Sequence, residues 1–389
     1  MPQSQDARDA RLDVIRLVAF YLLITCHACD PFNAAATYGA GVANPAFTRW
    51  GAVWGSMVRP CVPLFVMLTG ALLLGHRAAD NKGPVPLGSF YRKRIFRVLW
   101  PFLIWSVLYY LAPWLMGLMG WGEATVAQFF PWAETMSQDI GPALERVSRL
   151  PFTFSYVACH MWYIYMLIGL YLYLPIFDTW VSQASRRQQE AVLLLWAASL
   201  FLPYFTQFVS PYNFGTCDWN AFGTFYYFAG FNGYLLLGHY LYRHARLNLG
   251  RTLLLAVPML MVGYVVCLLG YRYVLTLSDP TPQMIELFWT YCTPNVALMS
   301  AALFLVGLHL RVNNQHLRAL LANLTRCGFG IFMAHYFFVG PTFGWITAWG
   351  VPVAARVPLA AVLILLETWL LVAVLKKALP RRFTDILLG

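Results

Sequence analysis

The sequence predicts an all-α fold: a polytopic transmembrane helical bundle of about ten spans, with N- and C-termini cytoplasmic. Three observations carry that prediction. The 389-residue chain is 60% hydrophobic and only 11% charged, with a mean hydropathy of +0.59, whereas a soluble domain carries about 25% charged residues. Ten apolar stretches can be drawn, each long enough for a helix crossing a hydrocarbon core of about 30 Å. Lys and Arg gather in alternate connections between them, as the positive-inside rule requires. The 15 Trp and 22 Tyr suit interfacial belts at headgroup depth.

The first stretch, 14–30, carries the densest polar content. Asp13, Arg16, Phe20, Leu23 and His27 fall on one helical stripe. Arg16 and His27 are 11 residues apart, about 16 Å along a helix and about 20° around it. Ionisable residues at membrane depth are functional candidates. An interfacial Asp13–Arg16 ion pair and a His27 near the headgroups are the plainer readings. The second stretch, 50–75, holds Arg59 beside Pro60 and Pro63. Proline has no N–H, so these residues must free backbone carbonyls, which a membrane tolerates where the break is buried or lines a cavity. Arg59 can bind an anionic group there or satisfy the carbonyls.

Arg92, Lys93, Arg94 and Arg97 crowd the start of the third stretch, 96–119. The long connection at about 120–155 is rich in Trp and Phe and carries Glu123, Glu134, Asp139 and Glu145. His160 and Trp162 open the fourth stretch, 156–177. The fifth is 190–208, and His239 sits near the end of the sixth, 222–242, as an interfacial residue. The seventh is 252–273; Pro294 and Asn295 interrupt the eighth, 286–308. His335 lies midway along the ninth, 327–347, and Glu367 in the inner half of the tenth, 352–375. Polar groups at depth on several helices imply a shared polar interior, which favours a catalyst or a transporter over a passive anchor.

The net charge of +11 does not imply nucleic acid. Counted through these connections, 21 of 27 basic residues fall on the side of the termini, so they report orientation. No Ser, Gly or Gln run marks a linker, and residues 1–389 read as one integral membrane domain. A signal peptide cleaved near Ala34–Ala36 is the competing reading of the N-terminus; it would discard Asp13, Arg16 and His27 and upset the charge alternation. Cys26 and Cys29 have redox-pair spacing, but a membrane span lacks the thioredoxin-like setting. No Cys/His spacing suggests zinc, and no metal is expected.

Several segments together resemble the membrane-bound acyltransferase family 3, in the stand-alone form related to bacterial surface-glycan O-acetyltransferases. Arg16, ten residues and His27 look like that family's first-helix signature. RPCVPLFVMLTG at Arg59–Gly70 is similar to its second-helix motif, although Thr69 stands where a serine is expected. FYRKRIFRVLWP at Phe90–Pro101 follows, then HMWYIYMLIGLYLYLPIF at His160–Phe177. GYLLLGHYL at Gly233–Leu241 and GFGIFMAHYFFV at Gly328–Val339 resemble later blocks.

The resemblance implies acyl transfer from cytoplasmic acyl-CoA, usually acetyl-CoA, to a hydroxyl on a surface glycan or lipid-linked sugar, in the bacterial inner membrane. Acetyl-CoA would be a co-substrate rather than a bound cofactor. His27 would be the base, with Arg59 and His160 as oxyanion or substrate contacts. Asp13 and Arg16 would position the donor, and Arg92, Lys93, Arg94 and Arg97 could hold CoA phosphates or simply set topology. Trp162, His335 and Glu367 are substrate-contact candidates. Trp121 or Trp132 could stack on an acceptor sugar or belong to an aromatic belt. An acyl-histidine intermediate is a variant. The rival function is a secondary transporter or lipid-linked sugar flippase using the same buried charges; its matched broken helices in two halves are not evident around Pro60, Pro63 and Pro294.

Overall fold

The computed structural model describes residues 9–33, 44–75, 86–130 and 137–389. Trp132, Glu134 and the Ala34–Ala36 segment lie outside them. No β-strand occurs among the described residues. The first helices are α1 (Ala10–Ala28), α2 (Pro45–Met57), α3 (Cys61–Leu73), α4 (Leu87–Leu118), α5 (Glu123–Phe129) and α6 (Ile140–Arg149). A 3-10 turn at Tyr156–Met161 leads into α7 (Trp162–Gln183), then α8 (Arg186–Ser199), α9 (Leu202–Phe208) and α10 (Asn232–His244). The rest are α11 (Leu249–Val274), α12 (Pro282–Glu286), α13 (Pro294–Gly307), α14 (Gln315–Ala334), α15 (Tyr336–Ala348), α16 (Val353–Ala378) and α17 (Arg381–Leu388).

All ten apolar stretches contain helix, but not all are straight, full-length spans. Among the described residues, seven helices are long and apolar enough to cross a membrane, and eight if the bent pair α14–α15 counts as one span. The remaining two stretches hold the 13-residue α10 and the 14-residue α13. Local chemistry explains the shortening. Gly230 takes a left-handed φ of +99° just before α10, a conformation glycine adopts freely. Pro294 occupies the first turn of α13, where its missing N–H is not needed and its fixed φ favours a start.

By internal contacts the chain forms two compact units. The first comprises Met1–Leu23, Ser56–Pro84 and Ile176–Thr325. Its tightest packing joins α3 to α10. A Cβ on Gly70 would lie 1.9 Å from the Leu235 carbonyl oxygen, and one on Gly238 2.0 Å from that of Met67. Bare backbones in contact suit a membrane, where helices associate through close packing of small residues. Asn295, buried at the start of α13, accepts from Tyr204 Oη at 2.6 Å and donates to the Phe288 carbonyl at 2.8 Å. The expected break in the second stretch is present: Val58–Pro60 form a turn between α2 and α3, and Pro63 falls in α3's first turn, where no N–H is required.

The second unit comprises Ile24–Gly55, Val85–Pro175 and Arg326–Gly389. Trp105 Nε1 of α4 donates to the Leu387 carbonyl of α17 at 2.8 Å, and Trp54 Nε1 of α2 donates to the Ala354 carbonyl of α16 at 2.9 Å. The ninth stretch is not straight: α14 and α15 meet at 84°. Side chains enter the helical ladder at this junction, one of the recognised causes of a sharp kink. His335 Nδ1 donates to the Phe332 carbonyl at 2.8 Å, and Tyr109 Oη donates to the Met333 carbonyl at 2.9 Å. The Tyr109 ring stacks on Phe337 with centroids 3.9 Å apart.

Candidate active site

Within the second unit the end of α1 supplies the first pair of groups. Its helical path continues to Asn33, so His27 and Asp30, three residues apart, share a face. His27 Nδ1 lies 3.0 Å from Asp30 Oδ2, and both side chains are mostly buried, at 12% and 18% exposure. An ionised carboxylate has no proton to give, so Nδ1–H donates. That leaves the lone pair on His27 Nε2, the tautomer a carboxylate-oriented base requires.

Two further histidines join this pair. The 3-10 turn carries His160, its path altered where Ala158 leaves helical geometry at φ −137°. The α14–α15 junction carries His335. Ring centroids are 5.2 Å apart for His27 and His335, 6.1 Å for His27 and His160, and 4.9 Å for His160 and His335. The Tyr336 ring stands 5.3 Å from that of His27, with its hydroxyl 3.5 Å from Asp30 Oδ2. His335 donates through Nδ1 to a carbonyl, so its Nε2 is also an acceptor.

Nε2 of His335 and both ring nitrogens of His160 are buried without a hydrogen-bond partner among the described residues. The Met333 carbonyl close to His160 also accepts from Tyr109 Oη. Buried polar atoms are nearly always satisfied, so unfilled nitrogens in one cluster suit a polar guest. Cys159 adds a thiol, and His27, Asp30 and Cys159 present ligand atoms within 4.8 Å of one another. Such a mixed N/O/S set is chemically suited to a zinc-like ion. Cys159 joins His27 and Asp30 only through the fold.

Residues 9–375 match the family model described as an acyltransferase domain, acyltransferase family 3. The chain belongs to that family. Comparisons with curated proteins and with solved structures give no match.

In this acyltransferase the sequence candidates divide among several settings. His27, His160 and His335 come together, with Trp162 opening α7 two residues after His160. Arg59 belongs to the first unit, where its guanidinium stands 4.3 Å over the Trp289 ring. That ring stacks on Tyr271 at 3.7 Å and donates to Ser56 Oγ at 3.0 Å, so the cation has a fixed seat. Arg16 pairs with Asp13 at 3.2 Å. The basic run of α4 splits: Arg92 and Lys93 share a stripe with Ser89, Phe96 and Trp100, while Arg94 and Arg97 lie near Tyr171. Glu367 accepts from Thr342 Oγ1 at 2.7 Å, tying α16 to α15.

Within the 120–155 connection, α5 and Phe130 pack on α15. A Cβ on Gly340 would meet the Gln128 carbonyl of α5 at 1.5 Å, and Phe130 lies 6.0 Å from Phe337 between centroids. Trp121 is exposed and packs on Phe129. Sequence reasoning missed Asp30, Tyr109, Cys159 and Tyr336. The His-x-x-Asp spacing at 27–30 could have exposed Asp30, and adjacency to His160 and His335 could have flagged Cys159 and Tyr336. Nothing local marks Tyr109.

Proposed function

We propose that this acyltransferase moves an acyl group, acetyl in the simplest case, from cytoplasmic acetyl-CoA to a hydroxyl of a surface glycan or lipid-linked sugar. The observation that carries the reading is the hydrogen bond from His27 Nδ1 to Asp30 inside a buried cluster of histidines. His27 Nε2 takes the proton as the acceptor oxygen attacks the thioester carbonyl. The tetrahedral intermediate then collapses, breaking the C–S bond, and the His27 proton passes to the departing CoA sulfur. Asp30 stays ionised, holding the tautomer and steadying the imidazolium. His160, whose ring nitrogens have no described protein partner, is assigned a contact to the oxyanion or acceptor. The same kind of contact is proposed for Arg59, and donor positioning for Asp13 and Arg16.

The site is proposed to work across a bacterial inner membrane with both termini cytoplasmic. Arg16 then lies on the donor side of α1, and His27 lies about 16 Å farther along the helix towards the acceptor. The test is transfer of label from [acetyl-14C]acetyl-CoA into glycan by membranes containing the protein. The reading expects CoA release and labelled glycan in equal amounts. CoA-independent movement of a lipid-linked sugar, without label transfer, would favour the flippase reading instead.

A further inference from the structure

A cavity of about 690 Å³ lies wholly within the first unit and is lined by none of the clustered histidines. The start of α1 lines it with Asp9, Arg11 and Asp13. Tyr242 of α10 adds a phenol, the segment leading into α14 adds Arg311, and the first turn of α14 adds Arg318. Its volume falls in the range of small-molecule sites, about 300–1,000 Å³. Its charges are organised rather than scattered. Arg11 grips Asp9 with Nη2–Oδ2 at 2.7 Å, and Tyr242 Oη donates to the same carboxylate at 3.2 Å. Burial raises the Asp9 pKa, but the bonds from Arg11 and Tyr242 outweigh it and hold the carboxyl below its ordinary value. This frame is therefore intact above the ordinary carboxylate range and loosens only as pH falls through that lowered value. Asp13 is engaged by Arg16.

With both acids paired, Arg311 and Arg318 set the character of the cavity. Arg318 Nε donates to the Val312 carbonyl at 2.5 Å, which orients the guanidinium and leaves its Nη groups for a guest. Asn314 caps α14 through bonds from the backbone N–H groups of His316 and Leu317 at 2.8 and 3.1 Å. The positive end of the 20-residue α14 therefore adds to the two arginines. By contrast, the stripe bearing Arg92 and Lys93 comes from one helix and exposes Phe96 and Trp100 beside the cations. That pattern suits a lipid headgroup boundary.

We propose that the Arg311–Arg318 cavity binds the 3′-phosphoadenosine diphosphate end of the donor CoA, and that the Arg92–Lys93 stripe does not. Planar guanidinium forks match phosphate oxygens in pairs, and the Asp9–Arg11–Tyr242 frame lines the same cavity. The inference rests on the proposed CoA donor.

The test is calorimetric binding of CoA and of 3′-dephospho-CoA to the full chain in nanodiscs. Arg311→Ala/Arg318→Ala is expected to weaken CoA about 10-fold or more per arginine, and Arg92→Ala/Lys93→Ala less than about threefold. Wild type should prefer CoA over 3′-dephospho-CoA, and the Arg311/Arg318 variant should lose that preference. Both cations are exposed, and Arg311→Lys/Arg318→Lys serves as a charge-retaining control with partial binding. Wild-type affinity in the Arg311/Arg318 variant, or a large loss in the Arg92/Lys93 variant, overturns the nucleotide assignment and leaves the donor reading standing. No CoA binding by wild type overturns both.

Discussion

The His27 imidazole is useful as a base only if one nitrogen is committed and the other is not. Asp30 commits Nδ1. Asp30→Asn should keep the fold but lower kcat by about 10²- to 10⁴-fold, with the KM for acetyl-CoA little changed, measured by steady-state label transfer. Cys159 offers a contrasting test, because its thiol lies within 4.8 Å of the His27 and Asp30 ligand atoms. Direct transfer through His27 predicts that Cys159→Ser stays within about threefold of wild type; an acyl-cysteine route would lose the thioester, and activity would collapse. His27 and His160 were legible in the sequence through their motifs, and His335 as a histidine deep in an apolar run. Tyr109 was not, because an aromatic residue in an apolar helix looks the same whether it packs or bonds a distant carbonyl.

At the level of elements, the bend between α14 and α15 positions His335 and Tyr336. Hydropathy hid it, because both arms are apolar and the junction holds neither proline nor glycine; Pro341 lies inside α15. The Val58–Pro60 break was legible because proline chemistry is local. Tyr109→Phe would remove the hydroxyl's hydrogen bond to the Met333 carbonyl at the bend. Its loss should read as a lower Tm in detergent together with reduced transfer. Gly70→Val probes α3–α10 contact, where even a Cβ meets the Leu235 backbone. Overpacking of about 1–3 kcal/mol or more is expected, again as a lower Tm, while Gly344→Ala, with open space around it, should be neutral.

For the whole molecule, composition and charge alternation made the class of fold readable before any coordinate, and the all-α bundle agrees. The number of full-length spans was less readable. A hydropathy window counts apolar residues without asking whether they are helical, so residues before α10 and α13 were merged into spans. Orientation is the property on which the donor and acceptor sides depend. A fluorescent protein fused at the N-terminus should fluoresce in cells and resist protease added outside; an external N-terminus would put Arg16 on the wrong face for CoA. The central claim is that His27 is the base for acyl transfer. Its most direct test is single-turnover transfer of labelled acetyl from acetyl-CoA to surface glycan by wild-type and His27→Ala membranes at matched protein levels. The account predicts labelled glycan from wild type and a loss of at least about 10²-fold in the variant; transfer by His27→Ala at the wild-type rate would contradict it.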